Sequence, residues 1–317
     1  MVVTKFLTLI FGLLLLVKGA DLLLSSSIAI GKRFKVSDFF IGLVIVGFGT
    51  SLPELLVSID SIIKESPDLS IGNVLGSNIS NILLVLGVVL VFYEITFQKI
   101  SKFDVFFHLS CHLVLFIVVF FSSFNSVVGL FFIFLFLFYL WNSYQNSSNQ
   151  TENNEESKDK LSKIIVRNPI KFGIPIILIS VFLTFFGASI TVSSALDISY
   201  ILGISDAFLG LTVVAIGTSL PEIITSVKAA QKSKSQLVLG NIIGSNIYNL
   251  LLILGSVSLF DVFIFSASLS FEVKFLVFSV LVFSIILYFN IQLKKTFSTI
   301  FLFAYLIYLF RLYSVNF

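Results

Sequence analysis

The sequence is poor in charge and almost lacks cysteine, and each shortage excludes a class of protein. Only 12% of its 317 residues are Asp, Glu, Lys or Arg, about half the share of a soluble domain. A single cysteine excludes an intramolecular disulfide, and a net charge of +3 gives no reason to expect a nucleic-acid partner. No Walker A motif is present, which argues against an ATP-driven pump. What remains is apolar: 57% of the residues are hydrophobic, which is typical of a membrane protein.

Ten apolar runs are long enough to cross a bilayer as helices. They are predicted at 4–30, 38–63, 70–93, 104–123, 126–145, 170–197, 205–230, 236–260, 271–290 and 297–315. The first run lacks a convincing cleavage site, so it is interpreted as a permanent helix and not as a signal peptide. A polar, low-complexity stretch, 146–168, is predicted to be a flexible linker between the fifth and sixth runs. The fold class expected is therefore an all-α membrane protein.

The two halves of the sequence repeat each other at a constant offset of 168 residues. GTSLPE occurs at 49–54 and again at 217–222. Roughly half the positions from Ser37 to Gly87 are identical to the residues 168 positions later, here called their repeat mates, which indicates a duplication. The predicted repeats, 1–145 and 169–317, each contain five helices. Because five is odd, corresponding helices cross the membrane in opposite directions, which makes the repeats inverted.

Basic residues are concentrated in alternate loops between the predicted spans. The loops after the first, third, fifth, seventh and ninth spans carry most of the Lys and Arg, including the central linker. Cytoplasmic loops of membrane proteins are enriched in these residues. The sequence therefore predicts a multi-pass protein of the cell membrane, with both termini outside and the linker in the cytoplasm.

Each copy of GTSLPE places an acid and a proline near the middle of an apolar run. Pro53 has no N–H to donate to the Gly49 carbonyl, so a kinked or unwound helix with free carbonyls from about Gly47 to Thr50 is predicted. Thr50 shares a helix face with Glu54. A carboxylate inside the membrane is costly, and one repeated in both halves indicates function.

The oxygen-bearing residues of the repeated phrases form a set without thiolate or imidazole. The first half supplies Gly47, Thr50, Ser51, Glu54, Ser77 and Asn81, and the second half supplies Ala215, Thr218, Ser219, Glu222, Ser245 and Asn249. Carboxylate, hydroxyl, amide and carbonyl oxygens are the ligands of Ca²⁺ and Na⁺. A cation site at the centre of the membrane is therefore expected.

These phrases resemble a known family. GTSLPE with GNVLGSNISN in one half, and GTSLPE with GNIIGSNIYN in the other, resemble the two alpha-repeats of the cation/calcium exchanger superfamily, in its prokaryotic sodium/calcium exchanger branch. The resemblance covers nearly the whole chain. It implies that Glu54 and Glu222 are paired Ca²⁺ ligands, completed by the carbonyls of Thr50 and Thr218. It also implies flanking Na⁺ sites, made by the hydroxyls of Ser51, Ser219, Ser77 and Ser245 with the carbonyls of Gly47 and Ala215. Asn81 and Asn249 would lie at the centre.

The function that the resemblance implies is a secondary antiporter that exchanges Na⁺ for Ca²⁺ by alternating access. It is expected to be a monomer, without a cofactor and without enzymatic activity. Some relatives carry an acid where this chain has Asn249, so a Ca²⁺/H⁺ antiporter stays open as the alternative. Two further classes are less favoured. Inverted repeats around broken helices favour alternating access over a passive cation channel. No His or Lys base stands near Ser51 or Ser219, which disfavours an intramembrane hydrolase.

Two other polar pairs lie in the apolar runs, and both are interpreted as structural. His108 and His112 are four residues apart and resemble a metal-binding pair, but no carboxylate adjoins them and their repeat mates are apolar. They are expected near the cytoplasmic end of the fourth span. Lys18 and Asp21 are three residues apart and are expected to form an ion pair on one helix face.

Overall fold

The computed structural model is helical throughout the apolar runs that it describes. It describes residues 2–65, 67–96, 100–121, 123–147, 160–201, 215–260 and 269–316. The helices, numbered in chain order, are α1 (Val2–Phe34), α2 (Asp38–Thr50), α3 (Leu52–Ile63), α4 (Pro67–Phe92), α5 (Lys102–Phe121), α6 (Ser126–Ser147), α7 (Lys160–Arg167), α8 (Ile174–Ile201), α9 (Ala215–Thr218), α10 (Leu220–Gln231), α11 (Ser235–Val257), α12 (Ser270–Tyr288) and α13 (Lys295–Asn316).

Eight helices in the described part are long and apolar enough to cross a membrane. The second predicted span is a bent pair, since α2 and α3 meet at an angle of 44°, and counting that pair as one span gives nine. The seventh predicted span, 205–230, is described only from Ala215 onward, and its first part lies outside the described residues. The prediction of an all-α, multi-pass membrane protein is confirmed at this level.

The predicted linker, 146–168, contains a helix at its end. α7 packs against α1 through Ile165, which is fully buried beside Gly173 and Ile30. Lys163 and Arg167 of the same helix are exposed, so its basic residues lie away from the side that packs on α1. The prediction of a flexible linker is therefore wrong for 160–167, and residues 148–159 lie outside the described part.

The same local conformations recur 168 residues apart. Glu65 and Ser233 both take a left-handed backbone, with φ of 56° and 57°, at the turns that follow α3 and α10. π-helical turns, Asn81–Val85 and Tyr248–Ile253, occupy corresponding positions in α4 and α11. The duplication in the sequence is therefore also present in the backbone.

α1 and α8 are packed together along most of their length in opposite directions. The Ser194 hydroxyl donates to that of Thr8 at 2.9 Å, and further along α1 Gly19 lies against Thr184. As the residue number rises in α1 it falls in α8, so the two helices are antiparallel. Small residues at these crossings allow the backbones to approach closely, as in other membrane helix pairs.

α2 and α11 cross at glycines and run in the same direction. A Cβ added to Gly240 would overlap the carbonyl oxygen of Phe39, and one added to Gly244 would lie 2.7 Å from the carbonyl oxygen of Leu43. Only glycine fits where two backbones come this close. This crossing places the first copy of GTSLPE beside the second copy of the GSN phrase.

Asp21 forms its ion pair across helices and not with Lys18. Its carboxylate oxygen lies 3.1 Å from Nζ of Lys232, in the turn after α10, and the same Nζ donates to the Ser25 hydroxyl at 2.9 Å. The prediction of a Lys18–Asp21 pair within α1 is therefore wrong, because a residue distant in the chain reaches Asp21. The pair ties the first helix of the chain to the second half.

Candidate ion-binding site

Both motif helices break at the serine of GTSLPE. Ser51 separates α2 from α3 with φ of −86° and ψ of 2°, and Ser219 separates α9 from α10 with nearly the same angles. Pro53 then lies in the first turn of α3, where a missing N–H leaves no hydrogen bond unmade. Glu54 is in the same first turn, and Glu222 is placed equivalently in α10. A carboxylate at that end of a helix is favoured by the helix dipole.

The Gly47 carbonyl is not free, contrary to the prediction. It accepts a hydrogen bond from the Ser51 N–H at 3.0 Å, and the hydroxyls of Thr50 and Ser245 approach it at 3.3 and 3.5 Å. The helical turn persists through Ser51, which retains its N–H. The non-α turn lies earlier, in the π-helical segment Gly42–Val46.

Glu54 and Glu222, one from each half, are buried close enough to each other for their charges to interact. Their exposed fractions are 1% and 2%. The Ser77 hydroxyl adjoins Glu54, and the Thr50 hydroxyl adjoins Glu222. In the described part of the chain neither acid forms an ion pair, and Oε2 of Glu54 and both carboxylate oxygens of Glu222 have no hydrogen-bond partner. Buried charges need compensation, so two neighbouring acids without a basic partner have the chemistry that a cation site requires.

Oxygen atoms from both halves also meet beside α2. The Thr50 hydroxyl oxygen lies 3.4 Å from that of Ser245 and 3.4 Å from the amide oxygen of Asn241. Ser245 and Asn241 belong to α11, so the glycine crossing with α2 creates this cluster. Together with the Gly47 carbonyl, the cluster contains three of the predicted site residues, namely Gly47, Thr50 and Ser245.

The remaining predicted hydroxyl positions flank the two acids along the chain. Ser51 and Ser219 are buried, and their hydroxyl oxygens have no hydrogen-bond partner among the described residues. Thr218 is half-buried and lines a crevice of about 350 Å³ that also contacts both motif prolines. Ala215 is the first described residue of its span, at the start of α9.

The two predicted central amides have different surroundings. Asn81 donates its Nδ2–H to the amide oxygen of Asn246 at 3.1 Å. Asn249 is equally buried, but neither of its amide atoms has a hydrogen-bond partner within the described part of the chain. An unpartnered buried amide is costly, so Asn249 is available to a ligand.

Sequence reasoning missed a pair of asparagines that brace the acid-bearing helices. Asn73 donates to the Glu54 carbonyl oxygen at 3.1 Å and to the Ser58 hydroxyl at 3.0 Å. Its repeat mate, Asn241, donates to the Ser226 hydroxyl at 3.0 Å. Both asparagines stand in the repeated phrase beginning GN, and repetition at the same offset is the signal that could have identified them.

The histidine pair lies between the first turns and the middle of α5. His108 and His112 are fully buried, and their Nε2 atoms lie 3.4 Å from the amide nitrogens of Asn246 and Asn78, respectively. They therefore contact the asparagines of the two GSN phrases. No group of three or more His, Cys, Asp or Glu that could hold a metal ion occurs in the described part of the chain.

The sequence matches a family model over both halves. The model describes the sodium/calcium exchanger protein family and matches residues 4–145 and 172–314. Similar chains include the sodium/calcium exchanger MaX1 of Methanosarcina acetivorans, which is 32% identical over 82% of this chain and 84% of its own length. The uncharacterized membrane protein MJ0091 of Methanocaldococcus jannaschii is 35% identical over 75% and 76%, respectively.

A solved structure has the same fold over nearly the whole chain. The sodium-calcium exchanger NCX_Mj, in crystals soaked with 10 mM Na⁺ and zero Ca²⁺, superposes with a TM-score of 0.82 at 31% identity. The match covers 97% of this chain and 98% of that one. Taken with the two buried acids and the repeated phrases around them, these matches show that the chain belongs to the sodium/calcium exchanger family.

Proposed function

We propose that the protein is a secondary antiporter that exchanges Na⁺ for Ca²⁺ across the membrane by alternating access. The observation that carries this proposal is the pair of buried, interacting acids, Glu54 and Glu222, which have no basic partner in the described part of the chain. Oxygen ligands suit both ions. The exchanger names of MaX1 and NCX_Mj support the same activity. No named relative points to H⁺ as the coupling ion.

The ligands proposed for Na⁺ flank those proposed for Ca²⁺, around the same two acids. Glu54 and Glu222, with the carbonyls of Thr50 and Thr218, would hold Ca²⁺. The proposed Na⁺ ligands around them are Ser51, Ser219, Ser77, Ser245, Gly47 and Ala215, with Asn81 and Asn249 at the centre. Two carboxylates balance one Ca²⁺ or two Na⁺, so a site loaded with more than two Na⁺ would carry a net positive charge. Both acids come from one chain, and a monomer therefore suffices.

The proposed topology has ten spans in two inverted halves, 1–145 and 169–317. The antiparallel packing of α1 with α8 and the family matches to 4–145 and 172–314 support it. Both termini would lie outside and the linker in the cytoplasm. A cysteine at Ser157, in a Cys111→Ser background, should then be labelled only from the cytoplasmic side. Labelling by an impermeant reagent outside intact cells would contradict this orientation.

The activity is tested by Ca²⁺ flux in proteoliposomes of the purified protein. An imposed Na⁺ gradient should drive Ca²⁺ against its own gradient, whereas a pH gradient alone should not. Transport of more than two Na⁺ per Ca²⁺ would move net charge, worth about 2.3 kcal/mol per 100 mV, and an imposed potential would then change the rate. Flux driven only by the pH step would contradict Na⁺ coupling, and Ca²⁺ moving only down its gradient would indicate a channel.

A further inference from the structure

The two histidines of α5 connect to both halves of the ion site. His108 and His112 are one helical turn apart, and their rings are 4.7 Å apart between centroids. Each contacts one asparagine of a repeat-related pair, since Asn246 is the repeat mate of Asn78. These asparagines stand in the GSN phrases next to Ser77 and Ser245. The histidines therefore touch the helices that carry the site, without touching the acids.

The direction of each hydrogen bond follows from the atoms involved. Nδ1 of His112 lies 2.7 Å from the carbonyl oxygen of His108, which can only accept, so this nitrogen carries the proton. Nε2 of His112 is then an acceptor for the amide N–H of Asn78. Nε2 of His108 likewise accepts from the amide N–H of Asn246. Both rings serve as neutral acceptors.

The contact of His108 with Asn246 fixes the atoms that reach Asn81. Because the nitrogen of the Asn246 amide faces His108, its oxygen faces Asn81 and accepts from Asn81 Nδ2 at 3.1 Å. The nitrogen of Asn78, held by His112, also donates to the backbone oxygen of Asn246 at 3.2 Å. The nitrogen of Asn81 is thereby engaged, which leaves its amide oxygen for a cation.

The mirror-related hydrogen bond, from Asn249 to the amide oxygen of Asn78, is absent from the described residues. The repeat mate of His108 is Leu276, a buried apolar residue that cannot accept a hydrogen bond. At the corresponding positions, the amide oxygen of Asn78 and both amide atoms of Asn249 have no partner in the described part of the chain. Asn246 and Asn78 are each held by a histidine, yet only Asn246 accepts a hydrogen bond from a central amide, so the two central amides differ in their contacts.

We propose that His108 and His112 are positioning residues for ion binding. They orient Asn246 and Asn78, and through Asn246 they hold Asn81 as a preformed oxygen ligand, while Asn249 is left to adjust to the ion that binds. The inference rests on the proposed function, because it assigns the central amides to the transported ions. It gives the duplicated site one fixed and one adjustable amide.

The test replaces each histidine by its repeat mate. In a further variant, His108 is replaced by a residue that keeps a hydrogen-bond acceptor. His108→Leu and His112→Val remove the acceptor, His108→Gln retains one, and Cys111→Ala is the control within the same buried stretch of α5. Two measurements are made: the Ca²⁺ dependence of Na⁺-driven flux in proteoliposomes, and the Ca²⁺ dependence of the unfolding temperature in detergent.

A positioning role predicts a change in Ca²⁺ affinity without a matching change in maximal rate. His108→Leu should raise the half-saturating Ca²⁺ concentration about threefold to tenfold, the effect of one lost neutral hydrogen bond, with the maximal rate within about twofold. His112→Val should act in the same direction, and provides the test if His108→Leu does not fold. His108→Gln and Cys111→Ala should bind Ca²⁺ as the unaltered protein does.

Two results would overturn the proposal. One is an unchanged Ca²⁺ dependence in the folded His108→Leu or His112→Val protein. The other is equal impairment of His108→Gln and His108→Leu, which would show that the acceptor is not what matters. Absence of Na⁺-driven flux in the unaltered protein would instead contradict the proposed antiport, and the unfolding titration with Ca²⁺ would still decide the role of the histidines.

Discussion

Asn81 and Asn249 are the same residue at the same position of the repeat, yet only one is held. Asn81 donates to Asn246 at 3.1 Å, whereas Asn249 has no hydrogen-bond partner among the described residues. Both are buried to about the same degree. The difference teaches that a duplicated sequence supplies equivalent positions, and that the helices packed against those positions decide whether they behave equivalently.

The acids and the bracing asparagines follow the repeat more closely. Glu54 and Glu222 are both buried in the first turn after a helix break. Asn73 and Asn241 each donate to the serine one turn after the acid. These pairs are served by residues that were duplicated together. The central amides diverge, because the amide oxygen of Asn246 accepts from Asn81, whereas that of Asn78 has no partner among the described residues.

The largest loss of transport is expected from variants of the two acids, at which the two halves are equivalent. Glu54→Gln and Glu222→Gln should each abolish Na⁺-driven Ca²⁺ flux, because a divalent ion would retain one formal counter-charge in a low-dielectric site. Removing one partner of a buried charge pair costs about 3–5 kcal/mol, more than a hundredfold in affinity. Glu65→Gln, at an exposed turn, is the control. Normal flux in either site variant would show that the acids are not a joint ligand.

The next largest effect is a loss of stability, expected from substitutions at the glycine crossing of α2 with α11. These substitutions test how closely the two halves must pack. Gly240→Ala forces a methyl group into the Phe39 carbonyl, and overpacking of this kind costs about 3 kcal/mol. The Cβ added by Gly244→Ala would lie 2.7 Å from its nearest atom, so this variant should lose less stability. The Cβ added by Gly47→Ala would lie 3.1 Å from its nearest atom, and this variant should lose the least. Unfolding temperatures in detergent measure the series. An order that does not follow these distances would contradict the crossing.

The smallest loss of stability is expected from variants of the central amides, Asn81 and Asn249. These variants distinguish a contribution to stability from a contribution to ion binding. Asn81→Ala leaves the amide oxygen of Asn246 without its donor, so the ion-free protein should lose about 1 kcal/mol of stability. Asn249→Ala removes no hydrogen bond seen in the described residues, so its ion-free unfolding temperature should change less. Both variants should show weaker stabilisation by Ca²⁺. Equal loss of ion-free stability in the two would remove the distinction between held and free amides.

The family and the helical membrane class were predictable from the sequence. Long apolar runs cannot cross a bilayer without satisfying their backbone hydrogen bonds, so helices follow from composition alone. A proline beside an acid in each half marks where those helices break, and the break was found one residue from the position expected to unwind. The comparisons confirm the family that the repeated phrases predicted.

Only the tertiary structure decided which polar atoms meet. The Asp21–Lys232 pair and the contact of His108 with Asn246 join residues that are far apart in the chain. The Gly47 carbonyl is occupied because the turn that contains it stays helical. Sequence periodicity gives the face of a helix but not the helix that will lie against it. The glycine crossing of α2 with α11 fixes that neighbour, because hydrogen bonds act over about 3 Å and a small shift in packing would exchange one partner for another.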